Sequence, residues 1–114
     1  MSAPMRSLGV DVHGRWALDH GAIVDDLVGR GLVPEDGRAR AIEALSARLG
    51  HPVLTLSPDG RAEARSEWVS ARGRWSRRGD RVELCCGGPT THLSVGEHEL
   101  AARGGPVAIV YRRA

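Results

Sequence analysis

Few side chains in this chain can carry chemistry, and their spacing excludes most of it. Five histidines stand at His13, His20, His51, His92 and His98, and no two are separated by the i, i+2 or i, i+4 steps that bring ligands onto one face. Metal binding is therefore not expected. Cys85 and Cys86 are adjacent, and successive side chains of a strand point to opposite faces, so the pair reads as two free thiols, with Cys86 inward and Cys85 outward. No Ser-His-Asp order, paired inward carboxylates or phosphate-cradling loop can be assembled, and Gly87-Gly88-Pro89 reads as a turn. No cofactor is implied. What remains is a set of polar groups on inward-facing positions. His98 and Tyr111, with Ser66 and Thr91, are expected to converge inside and to orient a ligand or to hydrogen-bond within the core. His13, His20, His51 and His92 are expected on outer faces or loops.

The elements that must position these groups are legible as periodicity. Val10, Val12, Gly14, Trp16 and Leu18 alternate against polar neighbours and read as a half-buried strand. Asp19 is placed to cap a helix over residues 20–30, which Gly29-Arg30-Gly31 stops. Pro34, followed by Glu35 and Asp36, opens a second helix over 34–49 with an apolar stripe of Ile42, Leu45 and Leu49, and Gly50-His51-Pro52 ends it. Only strands follow. Residues 53–57 and 61–69 form a hairpin about Pro58-Asp59-Gly60, because proline presets one backbone angle and glycine accepts the left-handed one. Segments 72–77, 81–86, 91–95, 98–103 and 107–113 continue it through short Gly-rich turns.

The resulting class is mainly β: an antiparallel up-and-down meander of about eight strands, with a helix-turn-helix between the first and second. One apolar face collects Leu54, Leu56, Ala62, Ala64, Trp68, Gly73, Trp75, Val82, Leu84, Leu93, Val95, Leu100, Ala102, Val107, Ile109 and Tyr111. A meander with one such face loses its exposed edges by closing into a small barrel. The helices are expected to lie on it as a lid or flank. Trp16 and Trp75, each in a Gly-Arg-Trp step, are expected to plug the core, whereas Trp68, preceded inward by small Ala62, Ala64 and Ser66, is expected to line a cavity.

Length and composition set the outer bounds. At 114 residues the chain is a single domain, residues 1–114, because a chain of this size supports one core; residues 1–9 are expected to be disordered. Lys, Asn, Gln and Phe are absent and Arg is abundant, a bias that GC-rich codons explain. The net charge is +2, so the cluster Arg72, Arg74, Arg77, Arg78 and Arg81 reads as a solvated hairpin and no nucleic-acid partner is expected. The first ten residues lack a basic region followed by a long apolar run, so neither a signal peptide nor a membrane span is expected and a cytoplasmic location follows.

In organisation the chain resembles the calycins, the intracellular fatty-acid-binding proteins and more loosely the lipocalins. The matching elements are Gly14-Arg15-Trp16 on the first strand, the helix pair directly after it, the hairpin from Pro52 to Gly60, and a last strand carrying Tyr111. The resemblance implies a ligand-holding barrel, and implies that Arg112 or Arg113 packs over Trp16. The chain also departs from the family. Where the fatty-acid-binding proteins carry an arginine two residues before the final-strand tyrosine, this chain has Ile109, and only Tyr111 carries over.

Three functions are compatible with these residues. The first is binding of a small apolar or lipid-like molecule, with Trp68, Leu84, Leu93, His98, Leu100, Ile109 and Tyr111 lining the cavity. The second is a small cyclase- or isomerase-type barrel enzyme acting on an apolar substrate, with His98 and Tyr111 moving protons. The third is a cavity-free barrel that acts through its outer surface on a protein partner or, as a homodimer, on a second copy.

Overall fold

The structure is a computed structural model that describes residues 11–114; the expected disorder of residues 1–9, and Val10 of the first strand, lie outside the described residues. Strands β1 (Gly14–Leu18), β2 (Val53–Leu56), β3 (Arg61–Arg65), β4 (Ser70–Arg78), β5 (Arg81–Cys85), β6 (Thr91–Val95), β7 (Glu99–Ala102) and β8 (Ile109–Arg113) pair in sequence order, and β8 returns to β1. The barrel is closed and every pairing is antiparallel. Closure leaves no strand edge to pair with another chain.

The interior follows the alternation. Trp16, Leu54, Leu56, Ala62, Val82, Leu84, Leu93, Val95 and Leu100 form one buried cluster with Val12, and Ala64, Trp75, Cys86, Ala102 and Tyr111 pack against it. Gly73 is required by a close approach. A Cβ there would meet the Cys85 carbonyl oxygen at 1.8 Å, so β4 can cross the end of β5 only without a side chain. Four positions expected on the inward face are exposed instead: Trp68 in the β3–β4 loop, His98 in the β6–β7 turn, Thr91, which opens β6 at the rim, and Val107, which precedes β8 in the β7–β8 loop.

Helix α1 (His20–Gly29) is capped by Asp19, whose Oδ1 accepts from the Ala22 amide at 2.9 Å. Burial alone would raise the Asp19 carboxyl, but that amide and the Arg112 guanidinium outweigh it and hold it below the usual carboxylate range. A 3-10 turn (Glu35–Gly37) precedes α2 (Arg38–Leu49), so Pro34 caps that turn rather than starting a continuous helix. Ile23 of α1 packs on Ala101 of β7, Ala108 just before β8 and Val110 of β8, with Leu18, Ala22 and Leu45 around them. The helices thus flank one wall of the barrel. Only Leu45 of the expected α2 stripe joins this cluster; Leu49 is 44% exposed, because α2 packs chiefly on α1.

Candidate functional site at the barrel mouth

The two ends of the barrel are built from different side chains. One end gathers the chain entry to β1 and the turns β2–β3, β4–β5 and β6–β7. There Trp16 is fully buried and its indole N–H donates to the Val12 carbonyl at 2.8 Å. Trp75 does the same to the Ser57 carbonyl at 2.8 Å. The Arg113 guanidinium lies 4.1 Å over the Trp16 ring and donates to the carbonyls of Asp11 and His13. This end is stoppered, and Arg113 is the arginine that covers Trp16.

The other end holds the helix pair and the loops β3–β4, β5–β6 and β7–β8. Several of its inward side chains are small, Ala64 opposite Ala71, then Cys86 and Ala102, beside the larger Tyr111. Small residues at the rim leave room. An apolar groove of about 270 Å³ opens there, lined by Arg48, Leu49, Pro52, Ala64, Arg65, Ser66, Trp68, Val69 and Ala71. Trp68 and Val69 are 62% and 63% exposed, the largest apolar surface at this end.

The loop that carries Trp68 is fastened twice. Ser66 closes it as a turn, its N–H donating to the Val69 carbonyl at 2.8 Å and its hydroxyl accepting from the amides of Trp68 and Val69. Glu67 then reaches the helix-return segment, where one carboxylate oxygen accepts from the His51 amide at 2.8 Å and the other lies 2.8 Å from His51 Nδ1. The His51 ring and amide pull the Glu67 carboxyl down to about 2. Gly50 sits under this contact with φ of 66°, and a Cβ there would lie 2.7 Å from a Glu67 carboxylate oxygen and 3.1 Å from the Trp68 ring. His20 Nε2 lies 2.7 Å from the Gly50 carbonyl, and the His20 and His51 rings meet edge-on at 5.2 Å. His20 is buried, contrary to the expectation that it lies on an outer face or loop. Its position beside the cap, rather than its alternation, decided that.

The seven residues expected to line a cavity divide by place. Leu84, Leu93 and Leu100 belong to the barrel core, with Leu93 and Leu100 at 0% exposure. Tyr111 packs against that core, and burial, then Cys86, raises its phenol above the usual value. Ile109 is half-buried at the start of β8, on the helix end. Trp68 lines the mouth groove. His98 does not face inward: it sits in the β6–β7 turn at the stoppered end with its side chain 80% exposed, because β7 starts at Glu99 and the turn absorbs the residue before it. His98 and Tyr111 therefore do not converge on one pocket. Leu49, Pro52 and Val69, which complete the groove, come from a helix end and two loops, where alternation gives no signal.

Among the described residues no three His, Cys, Asp or Glu side chains come together to hold a metal ion, and no helix is long and apolar enough to cross a membrane. No family model, curated protein or solved structure matches the chain, so the likeness to calycins rests on the closed eight-stranded barrel and its helix pair.

Proposed function

We propose that the barrel binds a small apolar or lipid-like molecule at its mouth, with Trp68, Leu49 and Val69 as the walls and Ala64 and Ala71 beside them. The observation that carries this reading is the asymmetry of the ends. Two tryptophans stopper one end, while at the other Ala64, Ala102 and Cys86 face inward beside Tyr111 and a third tryptophan is exposed over a groove. Apolar surface exposed together at the rim of a concave site marks binding more often than stability. Arg48 and Arg65 stand at the groove edge, so an amphiphile with an anionic head is favoured over a neutral one.

The groove is small, which bounds the affinity. Burying about 300 Å² of apolar surface, counted over ligand and wall, contributes roughly 7 kcal/mol before the cost of association, so dissociation constants of tens of micromolar or weaker are expected. Titration of the native protein with an anionic anilinonaphthalene dye, with Trp68 emission as a second signal, tests the reading. One saturating site that Ala71→Trp removes is the expected result. Non-saturable dye binding, or binding unchanged by Ala71→Trp, rejects a ligand at the mouth.

A further inference from the structure

The arginines of this chain fall into two populations, and codon bias explains their number but not their arrangement. On the wall that carries the helices, four guanidinium groups are engaged. Arg30 meets Asp26 at 2.9 Å, Arg38 meets Asp25 and Arg103 meets Glu99 at 2.5 Å each, and Arg112 bridges Asp19 and Glu99. Arg40 and Arg48 of α2 make no ion pair among the described residues, but each stands apart.

The bare wall of β3, β4 and β5 is mixed: Arg61, Arg65 and Arg72 are paired, whereas a cluster of three arginines at its centre is not. Register places Arg61 directly opposite Arg74 and Arg78 directly opposite Arg81, and like charges facing each other across strands are unfavourable. Among the described residues Arg74, Arg78 and Arg81 make no ion pair. Three of the four local carboxylates are committed elsewhere. Glu63 is shared by Arg65 and Arg72 at 3.6 and 3.5 Å, Asp59 lies 3.4 Å from Arg61, and Glu83 lies 3.9 Å from His92. Asp80, at the β4–β5 turn, pairs with none of them.

The alternate residues Ser70, Arg72, Arg74, Ser76 and Arg78 of β4 are all exposed. Donors on one face of a strand repeat every ~7 Å, and neighbouring strands add a second row ~5 Å away. Guanidinium forks and serine hydroxyls are the groups that grip phosphate oxygens. No aromatic ring lies on this face of β3–β5, so unpaired bases would find nothing to stack on.

We propose that the outer face of β3–β5, centred on Arg74, Arg78 and Arg81, docks the phosphate backbone of a nucleic-acid duplex without reading its sequence. The small net charge argues against a field that recruits polyanions from afar, yet contact binding depends on the local surface. The cross-strand arginine pairs, unfavourable in the free protein, become favourable once a phosphate lies between them.

Fluorescence anisotropy with a labelled duplex of about 20 base pairs, read at two salt concentrations, tests this. Engaging about three phosphates predicts a slope near −3, a loss of about 60-fold in affinity between roughly 50 and 200 mM salt. Arg74→Glu should weaken binding at least about tenfold, whereas Arg40→Glu, which changes net charge equally, should leave it within about twofold. Arg74→Glu relieves the repulsion with Arg61, so circular dichroism should show it folded, and its dye titration at the mouth should match the unsubstituted protein. No binding at the lower salt, equal losses for the two variants, or displacement of the duplex by poly-glutamate at lower concentration than by unlabelled duplex would each overturn the proposal. The last would point to an acidic protein partner.

Discussion

The stoppered end and the mouth of this barrel are made from the same strands, yet their side chains are under opposite demands. At the stoppered end Trp16 is fully buried and Trp75 partly so, and each finds a backbone carbonyl for the indole N–H, which is the condition for burying a tryptophan at little cost. At the mouth Trp68 has no such partner for its ring nitrogen among the described residues, and its ring is 62% exposed. A tryptophan held in water by a loop tied down at Ser66 and Glu67 contributes little to stability. The contrast separates a side chain that holds the fold from one that is available to something else.

The largest effect that would break this contrast is at Trp16. Trp16→Ala should cost roughly 3–5 kcal/mol in denaturant unfolding, because the ring is fully enclosed by a core too tightly packed to collapse. A cost below about 1 kcal/mol would show the stopper to be ornamental. Next is its cover. Arg113→Met keeps the aliphatic stem but removes the cation over the ring and two donors to carbonyls of the entering chain. A loss of about 1–2 kcal/mol is expected, and the incoming segment from Asp11 should lose hydrogen-exchange protection before the rest of the barrel does.

A pH experiment sharpens the comparison from the other side. Burial raises the Tyr111 phenol and, with Cys85 adding to it, the Cys86 thiol, and both groups sit toward the mouth. A group whose folded pKa lies above its unfolded value contributes stability that is fully present below the unfolded value and is lost as pH climbs through the folded one. Thermal stability should therefore hold to the ordinary thiol value of 9.0, begin to fall above it, and fall further above the ordinary tyrosine value of 10.0. Tyr111→Phe should flatten that fall, leaving the smaller share owed to Cys86. If Tyr111→Phe melts along the same alkaline curve as the unsubstituted protein, the phenol is not in an apolar setting.

What the sequence made legible divides along the same line. The barrel, its strand order and the stopper follow from alternation, turn chemistry and Gly-x-Trp, since each is local: inward positions at Leu54, Leu56, Val82, Leu84, Leu93 and Leu100 hold their faces across well-formed strands. The mouth was legible only through Trp68, and for a reason that proved incomplete. Alternation extends through Ser66 into Trp68 as strand, whereas β3 ends at Arg65 and Ser66 turns the chain with its own hydroxyl. At His98 the same cause acts, because β7 begins one residue later, at Glu99. Leu49, Pro52 and Val69 are brought together by how α2 returns to β2, and the Glu67–His51 contact joins residues 16 apart. Nothing local specifies either. The facing of Arg61 with Arg74 and of Arg78 with Arg81 is also invisible until the register is known, because composition counts charges without saying which face each other.

The smallest expected effect is the most discriminating. Trp68→Ala removes the most exposed tryptophan, and its loss should change unfolding free energy by no more than about 0.5 kcal/mol, as for a surface substitution away from a core or cap. The same variant should lose most dye binding at the mouth, since Trp68 supplies the broadest wall of the groove. Stability and binding would then move independently at this end and together at the other, where Trp16→Ala would weaken both by loosening the barrel. If Trp68→Ala instead costs several kcal/mol, the ring is packed in solution, the groove is closed, and the two ends of the barrel are equivalent after all.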